Sequence, residues 1–226
     1  SITRNLVSTA PGRKFVSGSS GAVYPEDYNE AGGMWEHLSR HGISFFNFGL
    51  GFEFSGSTEE QWHKFTGIRL GVMFPMPKPL YDRTSRKFAT YNTSVPDQFR
   101  IDMFEEELQE KWLSGKEEFP SVITMMIPND HGSSERIGDG YPYKESYMAD
   151  NDLAVGRVIE TLSHSKWWPE MLIIITEDDA QDGRDNVDAH RSLLMMISPW
   201  IKRGYVSHTH ANFGAILKTI YNICDL

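Results

Sequence analysis

Residues 175–191 read ITEDDAQDGRDNVDAHR, six carboxylic acids in seventeen residues, and overlap the end of the apolar stretch MLIII (171–175). Asp178 and Asp179 are adjacent. Two carboxylates turned into one dry site without a cation conflict, and one of their pKa values rises strongly. A divalent metal removes the conflict, because carboxylates and neutral imidazoles are ordinary ligands for Zn²⁺, Mn²⁺ and similar ions. Neighbouring residues at a strand end point in different directions and can hold two metals. Two histidines stand where they could complete the shell: His190 in DAHR (188–191) and His131 in PNDHGSS (128–134). Each histidine by itself reads as an ordinary polar residue, and an acidic run by itself is most often a solvated loop. An EF-hand calcium loop does not fit. With Asp178 in first place, Ala180 and Ala189 occupy two of the ligand positions.

The elements that must position these residues follow from the apolar pattern. SVITMMI (121–127), MLIIIT (171–176) and SLLMMIS (192–198) are near-continuous apolar runs, as expected of strands covered on both faces. ISFFNF (43–48) is a weaker fourth candidate. Val155, Val158, Ile159 and Leu162 recur at helical spacing, with ADND (149–152) offering capping side chains before them. Phe213, Ile216, Leu217 and Ile220 repeat the spacing, with Asn212 as the cap. Two more helices are predicted over 98–113, preceded by Pro96 and Asp97, and over about 31–41. The order predicts an α/β fold with a largely parallel central sheet flanked by helices. Residues 1–226 read as a single, partial domain, and the Pro-rich polar segment 71–98 as a long surface excursion within it. In such sheets ligands bind beyond the carboxyl ends of the strands, which is where the polar clusters stand.

Composition narrows the partners. The hydrophobic content of 39% and charged content of 23% suit a soluble globular chain. A net charge of −9 argues against nucleic-acid binding, which needs clustered Lys and Arg. It leaves a phosphate substrate open, since bound cations reverse the local field. Cys224 is the single cysteine, so no internal disulfide forms. No run approaches the roughly 18 apolar residues of a membrane span. The first residues, SITRNLVSTAPGRKF, contain no apolar signal core.

PNDHG, YMADNDLAVGRVIETLSHSKWW, IITEDDAQDGRDNVDAHR and SPWIKRGYVSHTHANFGAILKTIYNI occur in this order over about residues 120–223, and MWEHLSRHGISFFNFG lies upstream at 34–49. Together they resemble the C-terminal half of the bacterial phosphoesterase family, which is related to non-haemolytic phospholipases C and acid phosphatases within the alkaline phosphatase superfamily. The resemblance implies an alkaline-phosphatase-like fold that hydrolyses phosphate mono- or diesters with one or two divalent metal ions (Zn, Mn, Ca or Fe). It puts the metal ligands on Asp178, Asp179, His190 and His131, and the catalytic positions on Asn186 and Arg191. Glu177 and Asp182 are expected to orient ligands. The implied substrate is a phosphate-ester small molecule or a phospholipid head group, and the implied location is extracytoplasmic, in the periplasm or at the cell surface.

Two departures from the family pattern shape the expectation. The family reads DHVDAHR where this chain reads DNVDAHR, so Asn186 replaces a histidine. Asn cannot act as a general acid near neutral pH, although it can donate a hydrogen bond to a phosphate oxygen. The family's upstream ENRT pair and its Thr nucleophile in a TPN-like segment have no counterpart string in this chain. The chain is therefore expected to be a fragment whose nucleophile comes from an upstream segment. Its uncovered sheet edge is expected to be closed by a partner chain, an upstream domain or residues 1–30. The alternative is a catalytically inactive cell-envelope or surface binding module that keeps the phosphoesterase fold.

Overall fold

A computed structural model describes residues 32–50, 78–178 and 191–226. The predicted elements form, the helix expected after ADND starting earlier than its expected cap, and a short helix at Lys78–Asp82 forms where none was predicted. Met34–Arg40 is α1, Phe45–Phe48 is β1, Lys78–Asp82 is α2 and Asp97–Leu108 is α3, which continues through a π turn at Gln109–Leu113. Then come β2 (Val122–Met125), α4 (Glu145–Ser163), β3 (Ile173–Thr176), β4 (Leu194–Ile197) and α5 (Phe213–Ile223). The expected Asn212 cap is present, its side-chain oxygen accepting the Ala215 N–H at 2.9 Å.

β1 and β2 pair in parallel, Phe45 opposite Val122 and Phe48 opposite Met125. β3 and β4 pair antiparallel, Ile173 opposite Ile197 and Thr176 opposite Leu194. The described strands thus make a mixed α/β arrangement of one parallel and one antiparallel pair, the β1–β2 pair supplying the parallel part of the largely parallel sheet expected. The antiparallel return has a reason in the sequence. A parallel crossover normally carries a helix, and the acidic run between β3 and β4 has no apolar helical spacing with which to pack one.

The core gathers on α3. Ile101, Phe104 and Leu108 from α3 meet Phe48, Phe88, Trp112 and, from α4, Ala154 and Leu162. Phe48 makes edge-on ring contacts with Phe104 and Phe88 at 5.2 and 5.5 Å, a geometry that aromatic quadrupoles favour.

Two expectations are corrected here. The first concerns residues 71–98, of which 71–77 lie outside the described residues. The remainder is not a surface excursion: Ser85, Phe88, Ala89, Thr90, Ser94 and Val95 are buried. A buried irregular segment must find partners for its backbone carbonyls, and here one side chain reaches four of them. Arg100, itself fully buried, donates to the carbonyls of Ala89 (3.2 Å), Thr90 (2.6 Å), Asn92 (2.9 Å) and Val95 (2.7 Å), and to Asp97 Oδ1 (3.0 Å). At the other end of the segment Ser85 Oγ donates to Glu107 of α3.

The second correction concerns ADND. α4 begins at Glu145, so Asp150 and Asn151 stand inside the helix and cap nothing of their own. Asp150 instead accepts the backbone N–H groups of Asp97 (2.7 Å) and Gln98 (3.3 Å), the first two residues of the neighbouring α3. Pro96 precedes α3 and offers no side-chain cap, so α4 satisfies donors that would otherwise be orphaned.

The C-terminal part keeps apolar surface open. Leu194, Met195 and Met196 of β4 are 38%, 47% and 38% exposed, and Phe213 of α5 is exposed as well. The cover expected from residues 1–30 lies outside the described residues. Among the described residues no helix is long and apolar enough to cross a membrane.

Candidate functional site at the strand ends

Beyond β2 the chain turns at once into a 3-10 segment, Pro128–His131, with Pro128 in the first turn, where its missing N–H costs nothing. Gly132 closes the turn at φ 70° and ψ 170°, a conformation essentially restricted to glycine. Asn129 is buried, Asp130 half-buried and His131 exposed. His131 Nδ1 lies 3.1 Å from the Gly132 carbonyl. A carbonyl only accepts, so Nδ1 carries the proton and the neutral ring keeps its lone pair on Nε2, free for a ligand. The edge of the same ring meets Tyr91 at 5.6 Å between centroids.

Beyond β3 stand Glu177, half-buried, and Asp178, exposed. Thr176 Oγ1 donates to the Leu193 carbonyl at 3.0 Å and Ser192 Oγ to the Glu177 carbonyl at 3.3 Å. These bonds tie the end of β3 to the start of β4 and hold exposed Arg191 at the same end. Thr176 is thereby engaged in strand pairing.

The two strand ends sense each other. Burial pushes the Asp130 carboxyl up; the N–H groups of Asp130 and His131 oppose that rise, the Asp178 charge adds to it and His131 opposes it. Asp130, Asp178 and His131 therefore share one electrostatic neighbourhood. Carboxylate oxygens and an imidazole lone pair are the donor types that Zn²⁺, Mn²⁺, Fe²⁺ or Ca²⁺ accept. Among the described residues no three His, Cys, Asp or Glu side chains converge tightly enough to hold an ion unaided. Of the predicted site residues, His131, Asp178 and Arg191 are placed; Asp179, Asn186 and His190, with Asp182, lie outside the described residues.

Sequence reasoning noted Asp130 beside His131 but gave it no role, and it missed Tyr91. Adjacency to His131 in PNDHG was the available signal for Asp130. Nothing in the sequence points from Tyr91 to a histidine forty positions on.

The turn that carries Asp130 rests on a buried polar cluster. Asp97 Oδ2 accepts the Asn129 N–H at 3.0 Å and Asn151 Nδ2 at 3.1 Å, while Oδ1 accepts from Arg100. Burial outweighs the Arg100 guanidinium and pushes the Asp97 carboxyl up to about 6, with Asp150 adding to the rise. Burial also pulls the Arg100 guanidinium down, against the charge of Asp97. A carboxyl raised on folding favours the folded state while it is protonated. Its contribution is full below the unfolded value of 3.8 and is lost as pH rises through about 6. That interval corresponds to about 3 kcal/mol. Denaturant titrations of wild type and Asp97→Asn at a series of pH values are expected to show the wild-type advantage shrinking by roughly that amount between pH 4 and pH 7.5. A pH-independent gap would contradict it.

No family model, curated protein or solved structure matches the chain.

Proposed function

We propose that this chain is the metal- and phosphate-binding part of a phosphoesterase of the phospholipase C and acid phosphatase type. What carries the reading is that the Asp130 carboxyl, at the end of β2, feels the charge of Asp178, at the end of β3, as well as that of its neighbour His131. That edge is where α/β sheets bind ligands. Its support from sequence is the ordered set of motifs over about residues 120–223.

On this reading β1–β2 and β3–β4 belong to one alkaline-phosphatase-like central sheet. Asp178, Asp179, His190 and His131 hold one or two divalent ions, with Asp130 beside them. When bound, such ions polarise the phosphoryl oxygens and stabilise charge on the attacking and leaving oxygens. Arg191 offers a planar fork of donors to a phosphate. Asn186 donates a hydrogen bond to a phosphate oxygen but moves no proton. The nucleophile comes from an upstream segment, the substrate is a phosphate ester or phospholipid head group, and the work is done outside the cytoplasm.

Asn186 also favours a second reading, a binding module that has lost turnover. Restoring the histidine separates the two. With the upstream segment present and Mn²⁺ or Zn²⁺ supplied, Asn186→His is expected to raise hydrolysis of an alkyl phosphate by roughly 10²–10⁴, the usual worth of a general acid. Nitrophenyl phosphate, whose leaving group needs no proton, is expected to gain little. No hydrolysis of either ester by wild type or variant would reject the enzyme reading in favour of the binding module.

A further inference from the structure

We infer that Asn129 is a positioning residue, the pin through which a clamp of Asp97, Asp150 and Asn151 sets the strand-end turn that presents Asp130 and His131; the inference rests on the proposed metal site. Asn129 is fully buried, and its two N–H-bearing groups are both committed. Its backbone N–H donates to Asp97 Oδ2 at 3.0 Å. Its Nδ2 donates to Asp150 Oδ2 at 2.7 Å and to the Val95 carbonyl at 3.3 Å. Two residues earlier, the Ile127 carbonyl accepts Asn151 Nδ2 at 2.8 Å. The exit from β2 is thus held on both sides of Pro128 by α3, α4 and the buried segment before α3.

The clamp is rigid because its members serve one another. Asp150 also takes the N–H groups of Asp97 and Gln98 and the Tyr141 hydroxyl at 3.0 Å. Asp97 is locked by Arg100 and Asn151. Beyond Asn129 the turn has little freedom: Pro128 fixes its entry, and the Gly132 N–H returns to the Asn129 carbonyl at 3.0 Å. A shift at Asn129 is therefore passed directly to Asp130 and His131. The amide of Asn129 suits this task because a single planar group donates to a carbonyl and a carboxylate while its own main chain donates to a second carboxylate.

The test is isothermal titration of Mn²⁺ alone into the intact chain, with each variant held below the onset of its own melting. Asn129→Ala is expected to weaken Mn²⁺ binding by roughly 10–100-fold, the usual effect of losing a group that orients a ligand. Tyr141→Phe removes one bond to Asp150 and none of the bonds on residues 127–129, so its affinity is expected to stay within about twofold of wild type, well short of the loss expected at Asn129. If Asn129→Ala does not fold, Asn129→Ser replaces it, and the same loss is expected. Wild-type affinity in the Asn129 variant, or equal weakening in both variants, would overturn the inference and leave the metal site standing. A wild-type chain that binds no Mn²⁺ would overturn the metal site and the inference with it.

Discussion

Arg100→Ala is expected to cost at least about 3–5 kcal/mol, the loss seen when one member of a buried ion pair is removed, and to lower the melting temperature by roughly 10 °C in a chain of this size. The guanidinium is completely buried and spends its donors on four carbonyls and the Asp97 carboxylate. Truncation takes one donor from each of these acceptors. The Val95 and Asn92 carbonyls keep Asn129 Nδ2 and the Val95 N–H, and Asp97 keeps Asn129 and Asn151. The Ala89 and Thr90 carbonyls and one Asp97 oxygen lose the donor that Arg100 brings, each at its own desolvation cost. Few domains have more than about 5–15 kcal/mol to lose. Arg100→Lys is the informative companion. It keeps the charge for Asp97 but brings three donors on a flexible stem in place of a rigid five-donor fork. Its stability is expected to fall between wild type and Arg100→Ala. Differential scanning calorimetry of the three proteins measures both drops. An Arg100→Ala melting temperature within a few degrees of wild type would show that the segment before α3 does not depend on this residue.

The same side chain explains why part of the fold was illegible. The strands near 45, 122, 173 and 194 could be read because each is a short apolar run, α4 and α5 because their apolar residues recur at helical spacing, and α3 from the Pro96 and Asp97 that precede it. Pro-rich polar composition, in contrast, says nothing about where backbone carbonyls find donors. Residues 84–97 read as surface because nothing marks Arg100, three positions beyond them, or Arg136, farther on, as donors to their carbonyls. Asp150 and Asn151 read as caps for the same reason: capping residue types stood where a helix was expected to begin, and α4 starts earlier and turns them toward α3. The antiparallel pairing of β3 and β4 had no signal in two near-continuous apolar runs. At the site, the positions of Asp178 and His131 just beyond strand ends followed from the apolar runs that precede them, whereas Arg191 was reached only through the family resemblance. The influence of the Asp178 charge on Asp130 was not legible, because it depends on how strand ends nearly fifty residues apart in the chain are arranged.

Removal of Asp178 and Asp179 together is expected to have the largest functional effect. These adjacent carboxylates are the proposed anionic ligands from the β3 end. Losing both leaves two histidines and Asp130, a donor set with too little negative charge to hold a hard divalent cation against water. Asp178 is exposed, so at that position the change costs little in folding. The effect should therefore appear in the metal and not in the melting curves of the two metal-free proteins.

Metal content measured by plasma mass spectrometry on wild type and on Asp178→Ala/Asp179→Ala, purified side by side and dialysed against the same trace of Zn²⁺ and Mn²⁺, tests the central claim most directly. The predicted result is one or two equivalents of divalent metal per wild-type chain and a near-complete loss in the double variant, with circular dichroism unchanged. Equal metal content in the two proteins would contradict the assignment of the strand-end acids as a metal site.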